Sequence, residues 1–155
     1  RRLSAEVLMD AVSDVTGVPE AFSATWPSAR AMETWNFKIS SEFMDAFGRP
    51  NSSSDPPCER NAKGTVVQSL HLMHAEKLNS KIVHEKGLAR RLADGKETPL
   101  KIAETIYLTA LSRFPTEQEE VVIVAYFEKH KGNRRAAVED LLWAVINSAE
   151  FILNH

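Results

Sequence analysis

The stretch TPLKIAETIYLTALSRFPTEQEE, residues 98–120, contains two consecutive helix starts and decides the fold class. Thr98 precedes Pro99, a residue typical of the first helical position. Apolar residues then recur at the spacing of one helix face, at Ile102, Ile106, Ala110 and Leu111. Thr116 and Glu119 have the spacing of a capping box at the start of a second helix. The stretch therefore predicts two successive amphipathic helices.

Helix signals continue on the C-terminal side of this stretch. The second helix runs through Val121 and Phe127 and is predicted to stop near Gly132. Asn133 is placed to cap the next helix, whose apolar residues are Val138, Leu141, Leu142, Val145 and Ile146. Ser148 can open a last short turn that contains Phe151, Ile152 and Leu153.

The N-terminal side is more mixed. Ser4 is a candidate cap for a first helix that ends at Gly17. Residues 18–38 hold prolines and aromatic residues without a clear period, so we expect an irregular segment there. Further helices are predicted over residues 40–47, 65–79 and 86–93, the last closed by Gly95.

The predicted fold is all-α: an irregular multi-helix bundle of about six to seven helices with an irregular N-terminal third. No two β-like runs flank a hairpin signal, and no repeat of solenoid length is present. The 155 residues fit one helical domain spanning 1–155. Because the chain opens on Arg1 without a starting Met or a signal peptide, we interpret it as the C-terminal part of a larger protein.

Composition excludes several classes of function. The chain has 19 basic and 21 acidic residues and a formal charge of −2, so we expect no nucleic-acid partner. Its two basic doublets, at residues 90–91 and 134–135, are interpreted as solvated surface. No apolar run approaches the roughly 20 residues of a membrane span, so membrane insertion by this chain is not expected. Cys58 is the only cysteine, which excludes an internal disulfide.

Chemistry-bearing residues concentrate between Phe47 and His74. His71 and His74 lie three residues apart on a predicted helix, so their side chains can meet on one surface. Cys58 or Glu59 could supply a third ligand from the preceding loop, which makes a metal-binding module one hypothesis. The helical phase also places His74 on the packing face, where an ordinary core histidine is the competing interpretation.

A second set of candidates in the same stretch is Arg49, Glu59, Arg60 and His71. We interpret the set first as a structural clamp between the loop and the helix, because a guanidinium suits bidentate bonding to a carboxylate. The alternative is an enzyme half-site, in which these four side chains line a cleft completed by an upstream domain.

Several segments together resemble a known family. They are RRLSAE (1–6), RA (30–31), FGRP (47–50), CER (58–60), QSLHLM (68–73), YLTALSRFPT (107–116) and LWAVINSAEFILNH (142–155). In this order they resemble the C-terminal domain of unknown function in large planctomycete-type bacterial proteins, which often carry a cytochrome-c-like haem domain upstream. The chain departs from the family at Pro56-Pro57, where members often have a second cysteine, and at His74-Ala75, where an Asn-Gly is common.

The resemblance implies an exported or cell-envelope location and the upstream domains of the same parent chain as partners. It implies no cofactor in this fragment, although haem is possible in an upstream domain. We therefore predict a non-catalytic structural or interaction module, with the enzyme half-site and the metal-binding module as alternatives. The oligomeric state stays open at this stage.

Overall fold

The fold of the described chain is all-α, as the sequence predicts. A computed structural model describes residues 3–22, 29–33 and 76–153. Within these ranges the α-helices are α1 (Ala5–Thr16), α2 (Glu76–Ile82), α3 (Leu88–Asp94), α4 (Pro99–Leu111), α5 (Glu117–Lys129), α6 (Arg134–Ile146) and α7 (Ala149–Ile152). A 3-10 turn covers Ala31–Glu33. None of the helices described is both long and apolar enough to cross a membrane.

Local capping signals in the C-terminal half are confirmed one by one. The Thr98 hydroxyl accepts a hydrogen bond from the Lys101 N–H, and the Thr116–Glu119 capping box is complete. Two more helix starts follow the same logic, since a polar side chain at the cap satisfies a backbone N–H that has no partner within the helix. The side chains concerned are those of Asn133 at α6 and Ser148 at α7. Ser4 stands at the cap position of α1, but its side chain makes no capping bond.

The predicted helix bounds shift slightly. α3 starts at Leu88 and ends at Asp94, one or two residues later than expected at each end. α5 stops at Lys129 rather than near Gly132, because the His130 N–H already bonds back to the Phe127 and Tyr126 carbonyls. The predicted helix over 65–79 reaches Ile82, and its residues before Glu76 lie outside the described part of the chain.

The core is organised around α6, which contacts α2, α3, α4, α5 and α7. α1 packs beside it on α2, α3 and α4. The largest fully buried apolar side chains come from three helices and are Leu8, Ile102, Ile106, Val138, Leu142 and Ile146. Burial of such side chains is the main favourable term for folding.

One helix carries apolar residues on both faces. α5 buries Ile123 and Phe127, but its Val121 and Val122 are 71% and 68% exposed. Phe114, just before this helix, is 62% exposed. The apolar residues of α5 therefore do not all belong to the core.

The two ends of the described chain lie side by side. The Leu3 N–H donates to the Ile152 carbonyl oxygen at 3.2 Å. Ile152 belongs to α7, whose Phe151 is buried in the core. The backbone preceding α1 is thereby joined to the last helix.

Candidate functional site

All of the site residues named from the sequence lie outside the described part of the chain. They fall between positions 34 and 75 and are Arg49, Cys58, Glu59, Arg60, His71 and His74. The clamp, the enzyme half-site and the metal-binding module accordingly stay predictions. Among residues 3–22, 29–33 and 76–153, no three His, Cys, Asp or Glu side chains come close enough together to hold a metal ion.

The described residues form a different polar site, a cleft of about 310 Å³ beside the C-terminal half of α1. Its polar lining comes from α1, from the chain just after it and from the segment before the 3-10 turn: Asp10, Ser13, Asp14, Glu20 and Arg30. Three of the five side chains are carboxylates, so the electrostatics of the cleft depend on how they are neutralised.

Asp10 is the anchor at the base of this cleft. Its carboxylate is almost fully buried and accepts hydrogen bonds from the Ala31 N–H at 2.7 Å and the Met32 N–H at 3.1 Å. A buried carboxylate without partners would be costly, and here two backbone donors satisfy it. Asp10 therefore fixes the 3-10 turn against α1.

Arg30 covers the outer side of the cleft. Its guanidinium binds Asp14 in a two-point contact, with Nη1–Oδ1 at 3.1 Å and Nη2–Oδ2 at 2.7 Å. Its Nε lies 3.5 Å from Asp10 Oδ2. The hydrogen bond with Asp14 is the main reason that the pKa of Arg30 is raised. Both partners are about half exposed, so this pair positions the turn more than it stabilises the fold.

Lys81 is the buried cation of the site, with a side chain only 9% exposed. Its Nζ donates to the Val18 carbonyl at 2.7 Å and to Ser13 Oγ at 3.2 Å, and lies 3.2 Å from Glu20 Oε2. Burial lowers the pKa of Lys81, and the neighbouring Glu20 opposes that shift. The ammonium thus ties α2 to the chain that follows α1.

The charged side chains in and beside the cleft form an ion-pair network that joins α1, the 3-10 turn and α2. Its carboxylates already have partners within the chain, so a ligand would have to displace them. Sequence reasoning missed this network, although Asp10 and Asp14 stand one helical turn apart on α1. Their partner Arg30 is distant in sequence, as is Lys81, which binds Ser13 and Glu20, and no local pattern identifies either cation.

A second polar cluster centres on Arg113, whose five N–H groups are all used. Nε and Nη2 donate to the Glu150 carboxylate at 2.6 and 2.7 Å. Nη1 and Nη2 donate to Glu119, each at 2.9 Å, and Nη1 also donates to the Phe114 carbonyl at 2.9 Å. The guanidinium lies 5.2 Å from the centre of the Tyr107 ring, within cation–π range. Arg113 thereby clamps α4, α5 and α7 together.

The chain turns toward this clamp at Ser112. Ser112 caps the C-terminus of α4 in the left-handed conformation, with φ 55° and ψ 25°, and its N–H donates to the Leu108 carbonyl. This conformation costs a residue other than glycine about 1 kcal/mol of stability. The bonds of the next residue, Arg113, offset that strain.

Glu119 makes acid sensitivity an expected property of the clamp. Its hydrogen bond from Arg113 is the main cause that lowers the pKa of Glu119 to about 2, and bonds from Thr116 add to the effect. The unfolded chain binds this proton near pH 4.3, so the stabilisation is complete above that pH and is lost as the pH falls toward 2. We expect the free energy of unfolding to fall by about 1.5 kcal/mol over this range from Glu119, after allowance for its partial exposure.

Urea denaturation of the wild type and of Glu119→Gln at pH 7, 5, 4 and 3 checks this expectation. The variant is less stable at neutral pH, and the gap between the two proteins should narrow with acid because the amide does not titrate. A difference in the free energy of unfolding between the two proteins that stays constant from pH 7 to pH 3 contradicts a lowered pKa of Glu119.

The doublet at residues 134–135 is not simply solvated, which corrects the interpretation from sequence, whereas Arg90 and Arg91 lie at the surface as expected. Arg134 donates to the backbone carbonyls of Leu92, Ala93 and Glu97, and so fastens α6 to the end of α3. Arg135 binds Glu139, Glu85 and the Val83 carbonyl. Arg90 pairs with Asp94 one helical turn away. The physical reason is that backbone carbonyls of α3 and of the chain on either side of it, together with the Glu85 and Glu139 carboxylates, lie within reach of the Arg134 and Arg135 guanidinium groups.

Comparisons of the chain with protein-family models, with curated proteins and with solved structures find no match. The resemblance described from the sequence segments therefore stays a prediction.

Proposed function

We propose that this chain is a non-catalytic structural and interaction module at the C-terminal end of a larger exported bacterial protein. Its physiological partners are the upstream domains of the same parent chain, and any haem is held by those domains. This proposal extends the resemblance of the sequence segments quoted above. The observation that supports it most is that charged side chains in the described part of the chain bind other groups of the same chain.

Those charged groups act as internal anchors. Asp10 holds a backbone turn, Lys81 binds a carbonyl and a carboxylate, and Arg113 donates to carboxylates on two other helices and to the Phe114 carbonyl. A catalytic acid, base or nucleophile needs at least one bonding direction directed at a substrate. Groups satisfied in this way favour a rigid scaffold, which suits a module that presents a surface to other domains.

Native mass spectrometry of the purified chain tests the proposal against both alternatives. We expect the mass of the bare polypeptide when the chain is alone and a one-to-one complex when the upstream part of the parent protein is added. A stoichiometric metal that disappears in the double variant His71→Ala/His74→Ala and persists in the control His84→Ala overturns the proposal in favour of the metal-binding module. Absence of any complex with the upstream part overturns the interaction role.

A further inference from the structure

The junction between α3 and α4 places an aspartate directly before a glycine. Asp94 is the last residue of α3, and Gly95 follows it in an extended conformation with φ −70° and ψ 171°. Asp94 is the only aspartate of the sequence that precedes a glycine, and its side chain is 60% exposed. Because glycine has no Cβ, nothing on the residue itself crowds the Gly95 backbone nitrogen. This pair can therefore undergo chemistry that the other aspartates resist.

The reaction available to the pair is a rearrangement of the backbone. The Gly95 nitrogen attacks Cγ of Asp94, so that a C–N bond forms, a C–O bond of the carboxyl group breaks, and water leaves with the amide proton. The two groups belong to adjacent residues, and this proximity favours formation of the cyclic imide. Water then opens the imide. Attack at Cγ restores aspartate, whereas attack at the backbone carbonyl carbon leaves Gly95 bonded to Cγ, which is isoaspartate.

Two contacts at the end of α3 hold the pair in an unreactive conformation. The Gly95 N–H donates to the Arg91 carbonyl at 3.2 Å and completes the last turn. The Asp94 carboxylate accepts from Arg90 Nε at 2.7 Å, four residues earlier, which draws it away from the residue that follows. Both contacts lie at the end of a seven-residue helix, where local opening requires less free energy than global unfolding.

Arg134 on α6 restrains the pair from outside the helix. Its guanidinium donates to backbone carbonyls on both sides of the pair, namely Leu92 at 3.4 Å, Ala93 at 3.1 Å and Glu97 at 2.7 Å. Bonds from a charged donor are stronger than those between neutral groups. The rate at which the imide forms therefore depends on how often this junction opens.

We propose that Asp94 is a site of spontaneous modification, at which the chain rearranges to isoaspartate when the α3–α4 junction opens locally. The rearrangement adds one atom to the backbone between the Ala93 and Glu97 carbonyls, both of which Arg134 binds. The guanidinium can then no longer hold both carbonyls in place, so the end of α3 is released from α6. The modified chain keeps its charge and is less stable. This inference goes beyond the proposed function and does not depend on it.

Incubation of the purified chain in heavy-oxygen water, followed by mass spectrometry of its peptides, tests the inference. Opening of the imide takes up one oxygen atom from water, which labels the reacted residue. Electron-transfer fragmentation then separates isoaspartate from aspartate, since the two have equal mass. We expect both signals at Asp94, at a lower rate than in a synthetic peptide of residues 88–98, in which α6 does not restrain the pair.

Two arginine variants test the restraints. Arg134→Ala should form isoaspartate about tenfold faster than the wild type, which is the shift in local opening expected when hydrogen bonds from a charged group are lost. Arg90→Ala should accelerate the reaction only about twofold, because an exposed ion pair contributes less.

Gly95→Ala is the control at the reacting nitrogen. Its φ of −70° suits alanine, and the added Cβ meets only the end of the flexible Glu97 side chain. The variant should therefore fold, whereas the Cβ hinders closure of the imide. We expect it to form isoaspartate more slowly than the wild type.

Arg113→Ala separates local opening from global unfolding. Arg113 clamps other helices and makes no contact with the α3–α4 junction. Its removal should leave the rate of isoaspartate formation unchanged. If Arg113→Ala accelerates the reaction as much as Arg134→Ala does, the reaction proceeds through the globally unfolded chain and the inference is wrong.

Three other results overturn the inference. One is a wild type that takes up no heavy oxygen at Asp94 during a period in which the synthetic peptide reacts completely. Another is an Arg134→Ala variant that reacts no faster than the wild type. The third is a Gly95→Ala variant that reacts as fast as the wild type.

Discussion

Arg113→Ala is expected to lower the free energy of unfolding by about 3 kcal/mol, one of the two largest effects of any charged residue described above. The substitution leaves Glu119 and Glu150 facing each other without their shared cation, and it removes the link between α4, α5 and α7. Breaking a buried ion pair by deleting one partner costs about 3–5 kcal/mol. Arg113 is 33% exposed, so the expected cost lies at the lower end of that range.

Urea denaturation followed by far-UV circular dichroism measures this cost. Arg113→Lys keeps the charge and loses the two-point contacts, so about half of the loss should remain. Arg90→Ala is the matched control, because the ion pairs of Arg90 with Asp94 and Glu85 are exposed, so the substitution should cost less than about 1 kcal/mol. If Arg113→Ala and Arg90→Ala unfold at the same urea concentration, the Arg113 clamp contributes nothing to stability.

Lys81→Ala is expected to cost a similar amount, about 3 kcal/mol. It removes the donor of the Val18 carbonyl and the nearer cation of the mostly buried Glu20 carboxylate, which keeps only the exposed Lys77 at 3.8 Å. An unsatisfied buried acceptor costs about 1–3 kcal/mol, and a charged one costs more. The lost aliphatic stem, which packs beside Leu78 and Val12, adds a small cavity cost.

Two further variants separate the charge from the packing. Lys81→Met preserves most of the stem volume, so only the electrostatic part of the loss should remain. The double variant Lys81→Met/Glu20→Gln also removes the mostly buried carboxylate, which in Lys81→Met has only the exposed Lys77 beside it, and should recover at least about 1 kcal/mol relative to Lys81→Met. If the double variant is no more stable than Lys81→Met, Glu20 is not the group that Lys81 neutralises.

Short-range signals carry most of what the sequence predicts correctly. The cap at Thr98 and the capping box at Thr116 involve residues within one helical turn, so their chemistry is visible in the sequence itself. The all-α class follows from such signals repeated along the chain. Helix ends such as that of α5 shift by a few residues because backbone bonds at the last turn, and not the nearest glycine, decide them.

Long-range pairs are what the sequence conceals. Arg113 and Glu150 are 37 positions apart, and Lys81 and Ser13 are 68 apart. The packing of the helices alone brings them together. Likewise, Val121 and Ile123 have similar side chains but opposite exposure, because the positions of α4 and α6 decide which face of α5 is covered. The candidate site between positions 34 and 75 was chosen by residue type, and the structure describes none of it.

The backbone bond between Leu3 and Ile152 has a mechanical consequence. Whatever chain is attached before α1 or after α7 leaves from the same edge of the helical frame. Tension applied between the two attachments acts first on this contact and on α7, which the buried Phe151 and the bonds between Glu150 and Arg113 hold in place. The larger helices around α6 bear load only after that edge has opened.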